Sequence, residues 1–176
     1  MWVVVLVAVV RCGAVDWSSL TNDTLAALPP ADFVNATKSN IAAIPEDACS
    51  GFQYLQVSNL SLSGVSGLSS GCISQVHPSA FAGFSSAQVS AFPSDFNGAC
   101  SGVSSDQIRS LPASSIPGLQ PPCVLKFTTA CAGFTLAQVP LLPSPSVAQI
   151  QSDCMQAIPA ASFPGFTPSQ VSSFSS

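Results

Sequence analysis

The chain has 176 residues, of which 47% are hydrophobic and only 7% are charged. Ordinary globular proteins carry about 25% charged residues, and disordered acidic chains have few apolar residues, so this composition is unlike a typical cytosolic enzyme and excludes a disordered tail. The formal net charge is −4, and the three basic residues after position 14, Lys38, Arg109 and Lys126, are scattered, which excludes a nucleic-acid interface built on clustered Lys and Arg.

The segment 1–14 is typical of a signal peptide. Residues 2–10 are an unbroken apolar run, far shorter than the roughly 20 residues that span a bilayer. Cys12, Gly13 and Ala14 form a small-residue cleavage site. The usual basic residues before the apolar run are missing, so a buried first strand is the alternative. We predict a signal peptide over 1–14, a secreted repeat domain over 15–176 and no membrane span.

Three glycosylation sequons follow, beginning at Asn22, Asn35 and Asn59. Such motifs mark surface loops in secreted proteins, although they also occur by chance. We predict glycosylation at these three asparagines, which agrees with export.

A 16-residue repeat then occupies the chain in about nine copies. An apolar residue followed by Pro recurs at 28, 44, 92 and 158. We number the positions of the unit as slots, counting from this apolar residue as slot 0. Further apolar residues then recur at slots 5, 8 and 13. The frame slips by about three inserted residues between Phe92 and Leu111, and by one lost residue before Leu142. Ten consecutive slot-13 residues are apolar, the first of them ahead of the first slot 0: Leu25, Ile41, Val57, Ile73, Val89, Ile108, Val124, Val139, Met155 and Val171.

Each unit predicts two short helices. In the first half, Pro follows slot 0 and Gly fills slot 7, the residues favoured at the start and just past the end of a helix. In PSAFAGF (78–84) we expect Gly83 to end the helix in a left-handed conformation, with Phe84 folding back onto it. The second half, as in SSAQV (85–89), is a capping box. Units this small must stack, so we predict a mainly α solenoid of 16-residue repeats.

The first half-unit also resembles part of a leucine-rich repeat. LPASSIPGL (111–119) and IPAASFPGF (158–166) are similar to the Ile-Pro-x-x-Ala-Phe-x-Gly pattern of BspA-type leucine-rich repeats. The resemblance extends over the mature chain and covers half of that family's unit, because the strand consensus is absent. It implies a stacked, ligand-presenting solenoid, and it makes a leucine-rich-repeat-like α/β solenoid the alternative fold.

The six cysteines that remain after cleavage keep the register of the repeat. They fall into three pairs with the same separation, which equals one 16-residue repeat plus seven positions. The first cysteine of each pair is in slot 5 of one unit, and the second is in slot 12 of the next unit. Stacking brings neighbouring units together, so these pairs are our predicted disulfides among the fifteen pairings that six cysteines allow. A zinc site is the alternative, but there is no close Cys-x-x-Cys pair, and we expect no metal and no cofactor. The predicted disulfides are Cys49–Cys72, Cys100–Cys123 and Cys131–Cys154.

Glutamine fills slot 12 in most of the other copies. Its structural interpretation is the capping box, and its functional interpretation is an external ladder or binding stripe of amides. We favour the structural one, because Cys replaces Gln without breaking the repeat. The glutamines are Gln56, Gln88, Gln107, Gln138 and Gln170.

Catalytic chemistry has little support in the sequence. His77 is the only histidine, and a Ser-His-Asp arrangement with Asp95 or Asp106 is formally available. No Gly-x-Ser-x-Gly elbow marks an activated serine, so we expect His77 to be an exposed turn residue. Glu46 and Asp47 follow Pro45, where carboxylates favour a helix N-terminus. We predict no catalytic residues and no enzyme.

The function that these observations favour is a secreted, non-catalytic structural protein, or one that binds an extracellular protein or glycan. A small apolar-ligand carrier is the first alternative, because Phe and Val fill the core slots, and a hydrolase around His77 is the second. No polar capping repeat follows Phe174, although solenoids need one. We therefore also expect self-assembly through the C-terminal repeat.

Overall fold

The structure is a computed structural model that describes residues 15–174, so the predicted signal peptide lies outside the described residues. Those residues fold into twenty short α or 3-10 helices, which we number in chain order. Helices 1–10 are Trp17–Ser19, Asn22–Ala26, Pro30–Phe33, Lys38–Ala42, Glu46–Gly51, Tyr54–Asn59, Leu62–Val65, Ser70–Gln75, Pro78–Phe81 and Ser86–Ser90. Helices 11–20 are Ala99–Gly102, Ser105–Ser110, Ala113–Gly118, Pro121–Val124, Thr129–Gly133, Val139–Leu141, Ser144–Val147, Ser152–Ala157, Ala160–Gly165 and Pro168–Ser173.

The described residues are mainly helical, as predicted. Each sequence unit supplies two helices, because slot 5 lies in the odd-numbered helices and slot 13 in the even-numbered ones. Between residues 15 and 174 there is no strand, and the isolated β-bridge between Ser69 and Gly98 is the β-pairing described there. The alternative α/β fold is therefore wrong for this part of the chain: Pro after slot 0 and hydroxyl residues before the second half-unit both start helices.

The helices form a coil with three helices in each turn. Helix 2 packs on helix 5, helix 5 on helix 8 and helix 8 on helix 11, and every extensive helix–helix contact among the described residues follows this step of three. Helices 2, 5 and 8 begin at Asn22, Glu46 and Ser70, and this constant step defines a 24-residue turn. Stacking of whole 16-residue units is not confirmed, because one turn holds one and a half of them.

The apolar slots line a continuous core inside this coil. Slots 5 and 13 are fully buried in most copies, as at Phe81 and Ile108. Trp17 and Leu20 continue the register ahead of the first recognised unit at slots 5 and 8, and the Trp17 ring lies 5.5 Å from that of Phe33. The first turn is thereby closed by an aromatic pair.

The slot-7 glycines allow neighbouring turns to touch. No glycine among residues 15–174 has a positive φ, so the left-handed conformation expected at Gly83 is wrong. A Cβ at Gly83 would lie 2.6 Å from the carbonyl oxygen of Tyr54 in the preceding turn, and a Cβ at Gly133 would overlap the carbonyl of Ser105. Close backbone approach is therefore the reason for glycine here. Phe84 does fold back as expected, with its ring 5.0 Å from Phe81.

The inserted residues form a loop between helices 10 and 11. The amide of Ser70 donates to the carbonyl of Asn97 over 2.7 Å, and Gly98 pairs with Ser69. The loop is thus held against the preceding turn, while Phe96 at its tip is 86% exposed.

Candidate functional site

The three predicted disulfides are confirmed. Each joins a helix to the helix three places further on, with Cα–Cα distances of 5.2, 5.0 and 5.2 Å. The separation of 23 between the paired cysteines is therefore one position short of a full turn of the coil. All six cysteines are buried, and the zinc alternative is wrong because their sulfurs are bonded to one another. The pairs are Cys49–Cys72, Cys100–Cys123 and Cys131–Cys154.

The slot-12 glutamines connect turns by hydrogen bonds. The Oε1 of Gln88 accepts the backbone N–H of Ser85 over 2.8 Å, which closes the predicted capping box. Its Nε2 donates to the carbonyls of Val57 at 2.8 Å and Leu60 at 2.7 Å, at the end of helix 6, four helices earlier. The same three kinds of bond recur at Gln56, Gln107, Gln138 and Gln170.

These amides donate to carbonyls at the C-terminal ends of short helices. The last four carbonyls of a helix lack the N–H partner four residues on, and each glutamine donates to two carbonyls there in an earlier turn. One is the slot-13 carbonyl, which also accepts the N–H three residues on, and the other is the slot-0 carbonyl that follows, as at Val57 and Leu60. All five are buried, with 1–4% of their surface exposed, so they cannot form an external binding stripe. The capping role was predicted, and the cross-turn bonds were missed. A signal was present: a capping box accepts Glu or Gln, and only an amide has the N–H donors that the carbonyls need.

Slot 12 has shorter side chains at the start of the coil. Thr24 and Asn40 accept the backbone N–H groups of Thr21 at 2.7 Å and Thr37 at 2.9 Å. Helices 2 and 4, which carry them, have no helix four places earlier among the described residues. Each of these two side chains therefore caps its own helix and makes no bond to an earlier turn.

Three slot-4 serines also tie turns together. Each is buried and donates its hydroxyl to a slot-8 carbonyl in an earlier turn, over 2.6 to 2.9 Å. With the five glutamines they make up all eight buried polar side chains among residues 15–174. The serine–carbonyl pairs are Ser115 with Phe84, Ser146 with Leu119, and Ser162 with Phe134.

His77 is exposed, and its side chain caps helix 9. The Nδ1 accepts the backbone N–H of Ser79 over 3.2 Å and lies 2.8 Å from its hydroxyl. No hydrogen bond within the described part of the chain joins this ring to Asp95 or Asp106. In the same part of the chain, no group of three or more His, Cys, Asp or Glu side chains is placed to hold a metal ion.

The predicted glycosylation sites lie on the surface. Asn22 begins helix 2, Asn35 lies in the turn before helix 4, and Asn59 ends helix 6, where its amide donates to the carbonyl of Leu55 over 2.8 Å. Asn35 and Asn59 are separated by one full turn of the coil. Glycosylation of all three stays a prediction.

Core slots are partly uncovered in the last turn. Phe163 at slot 5 is 43% exposed and Val171 at slot 13 is 54% exposed, whereas Phe33 and Leu25 in the same slots near the start are fully buried. The rings of Phe166 and Phe174 pack 5.6 Å apart beside them. Residues 154–174 include no charged residue, so this end of the described coil is an uncharged, partly apolar surface.

No known protein family, curated protein or solved structure matches this chain. None of the helices between residues 15 and 174 has the length and apolarity to cross a bilayer. The ties between turns and the partly apolar last turn are therefore the features on which a functional proposal rests.

Proposed function

We propose that the chain is a secreted, non-catalytic structural or interaction protein that presents its coil to an extracellular protein or glycan. The observation that carries the proposal is the use of the buried polar groups. All eight such side chains among residues 15–174 bond the backbone of an earlier turn, so the polar chemistry of the interior holds the coil in shape. Repetitive coils of this kind commonly bind along an extended outer surface.

Secretion is supported by the disulfides. Disulfides persist in oxidising compartments and are rare in the reducing cytosol. The leader at 1–14 and the exposed Asn22, Asn35 and Asn59 agree with the same route. Expression of the full chain in a secretory eukaryotic host is expected to yield protein in the medium, beginning after Ala14 and losing mass on deglycosylation. Full retention in the cells would count against the proposal.

Partner binding is tested with the oxidised mature chain immobilised and exposed to extracellular matrix extract and to a glycan array. We expect saturable binding of a defined protein or glycan. The control is the same chain unfolded by reduction and alkylation in denaturant. Equal retention of a partner by the folded and the unfolded chain would contradict an interaction role. If neither form retains a partner and the chain is also monomeric, both the interaction role and the assembly role are contradicted.

Self-assembly through the last turn belongs to the same proposal. The occupant that fits is a second copy, with last turn against last turn, because Phe163, Val171 and Phe174 are exposed there without charges. The first turns offer a poorer match, since they carry Asp16 and Asp23. Light scattering should give a dimer that becomes monomeric in the Phe163→Ser/Val171→Ser variant and persists in Leu62→Ser, an exposed residue elsewhere. A monomeric parent chain, or an open-ended polymer, would overturn this pairing.

The carrier alternative has the support of two shallow grooves between turns. They measure about 370 and 270 Å³; the first includes Arg109, Phe134 and Pro159, and the second includes Pro30 and Tyr54. Phe and Val side chains already occupy the interior, so a carried molecule would have to lie in such an open groove. Native mass spectrometry of the secreted chain that finds a bound lipid would favour the carrier.

The hydrolase alternative rests on the short contact between His77 and Ser79. Its test is the His77→Ala variant in a broad esterase and glycosidase screen. Any hydrolytic activity that this change abolishes would favour the enzyme.

A further inference from the structure

Slot 12 holds either a glutamine or a cysteine from Gln56 to the end of the described coil, and both residues tie turns together. Glutamine bonds the carbonyls of the helix four places earlier. Cysteine forms a disulfide with slot 5 of the helix three places earlier. The two residues are thus alternative solutions, hydrogen-bonded and covalent, to one structural requirement.

The helices that carry these ties differ in their own capping. Helices 10, 12 and 20, tied by glutamine, have complete capping boxes. At helices 6 and 16, tied by Gln56 and Gln138, the glutamine Oε1 accepts the backbone N–H three residues earlier, and no hydroxyl side chain caps the helix. Helices 14 and 18, which contain Cys123 and Cys154, begin after Gln120 and Gln151 and have no side-chain cap. Helix 8, which contains Cys72, is intermediate, because the hydroxyl of Ser69 accepts the N–H of Cys72 over 3.0 Å.

Helix 8 also has a further restraint. Its first residue, Ser70, donates its N–H to Asn97 in the inserted loop, and the hydroxyl of Ser69 donates to Glu46 over 3.1 Å. Cleavage of the disulfide would leave helix 8 with these bonds, whereas helices 14 and 18 would lose their covalent tie and have no side-chain cap to hold them.

We infer that helices 14 and 18 form a redox-sensitive section of the coil, which opens under thiol reductants while the glutamine-tied turns stay closed. The reductant is a small thiol such as glutathione. Its thiolate attacks one sulfur and releases the partner cysteine as a thiolate. A second glutathione thiolate then attacks the mixed disulfide, which frees the first cysteine and forms glutathione disulfide. Two electrons pass to the protein disulfide, and the two released cysteine thiolates take up protons according to their pKa.

Local opening controls the order of reduction, because all the sulfurs are buried. Cys72 is 3% exposed and Cys154 is 0% exposed, so static exposure does not favour attack on the Cys131–Cys154 bond. The uncapped helices open more often than the capped helix 8, since a side-chain cap stabilises a short helix. Reduction should therefore begin at Cys131–Cys154 and Cys100–Cys123, and Cys49–Cys72 should be the last to react.

The test treats the full oxidised chain with graded glutathione, blocks free thiols at intervals and identifies them by peptide mapping. We expect Cys49–Cys72 to be reduced at least about fivefold more slowly than the other two pairs, the factor that one N-cap represents. Hydrogen exchange on the partly reduced chain should show lost protection in helices 14 and 18 and retained protection in helices 10 and 12.

Two cap variants make the test independent of intrinsic thiol reactivity. Ser69→Ala should accelerate reduction of Cys49–Cys72 by about fivefold and leave the other pairs unchanged. Gln151→Ser, which supplies a cap to helix 18, should slow reduction of Cys131–Cys154. Ser74→Ala, an exposed change within helix 8, is the matched control. Simultaneous loss of all three disulfides, earliest loss of Cys49–Cys72, or indifference to both cap variants would overturn the inference. The expected order of disulfide reduction does not depend on which partner the coil binds.

Discussion

The first and last turns of the coil carry the same slots in opposite environments. Near the start, Phe33 and Leu25 are fully buried, and Trp17 covers the core. Near the end, the equivalent Phe163 and Val171 expose about half of their surface. The sequence pattern is thus the same at both ends, and burial depends on whether another turn covers it.

The difference shows that the ties between turns have a direction. Glutamines reach back to carbonyls in an earlier turn, so each turn is fastened by the one that follows it. The first turns need only local caps, which Thr24 and Asn40 provide. The last turn has been fastened to its predecessor by Gln170, while its own core slots remain uncovered.

The largest expected effect comes from truncating the slot-5 phenylalanine at each end. Phe33→Ala should cost about 3–5 kcal/mol, because it leaves a cavity in the closed first turns. Phe163→Ala should cost less than about 2 kcal/mol in the monomeric chain, since the side chain is 43% exposed there. Denaturant unfolding of the oxidised chain measures both. Equal losses would mean that the last turn is covered in solution, as in the proposed dimer, so both variants are compared above and below the dimer dissociation concentration.

An isosteric change at slot 12 separates the tie from the cap. Gln88→Glu keeps the capping oxygen and replaces the buried N–H donor with a carboxylate facing two carbonyls, which should cost about 3 kcal/mol at neutral pH. The free energy of unfolding should recover as the pH falls, because burial raises the pKa of the new carboxyl and its protonated form can donate again. Asn40→Asp, which has no cross-turn bond, should change stability by less than about 1 kcal/mol. A similar loss in both variants would show that capping alone matters.

Glycine substitutions compare how freely the turns can move apart. Gly133→Ala should cost about 2 kcal/mol, because its Cβ would overlap the Ser105 carbonyl inside the coil. Gly165→Ala should cost less: the Cβ would lie 2.8 Å from the Leu136 carbonyl, and the last turn can shift outward. Thermal unfolding ranks the pair, and the reverse order would argue against close approach as the reason for glycine.

The smallest expected effect is a pH dependence limited to the first turn. Hydrogen bonds from the hydroxyl of Ser18, from Ser19 and from the Ser18 backbone lower the pKa of Asp16 below its usual 3.8. A depressed pKa in the folded state adds stability above the unfolded value, and that stability is lost as the pH falls below about 3.8. Hydrogen exchange should show faster opening of helix 1 in this range and no matching change in helix 20. Asp16→Asn should abolish the pH dependence, and its persistence in that variant would assign it to another group.

The sequence predicted the helices, the core slots and the three disulfides, because each depends on a local pattern or on a recurrence. The length of the turn was not predicted, since a 16-residue repeat does not determine how many helices complete a turn. The cysteine spacing contained this information. Cys49 and Cys72 are 23 residues apart, which lies close to one 24-residue turn and far from one 16-residue unit.

Two parts of the candidate site depended on that missing turn length. The carbonyl partners of Gln88 lie 31 and 28 residues earlier, so they could be assigned only after the coil was known. Gly83 was assigned a left-handed backbone from the helix-ending pattern alone, whereas its function is to let the carbonyl of Tyr54 approach from another turn. In both cases the decisive partner lies outside the unit in which the residue is found.

The disulfides also divide the chain into segments of fixed and variable length. Each helix packs on the third helix after it, and the two always come from opposite halves of the repeat. Gaining or losing a whole unit adds or removes two helices, so every helix still packs on one from the opposite half. A covalent bond across one turn removes that tolerance within its loop, because the spacing between its two cysteines must then stay constant. The insertion of about three residues lies after Phe92 and before Cys100, in the stretch between Cys72 and Cys100, and the lost residue falls between Cys123 and Cys131. Changes in length are thus confined to the stretches that no disulfide spans, and these are where loops could be added to the coil without disturbing its register.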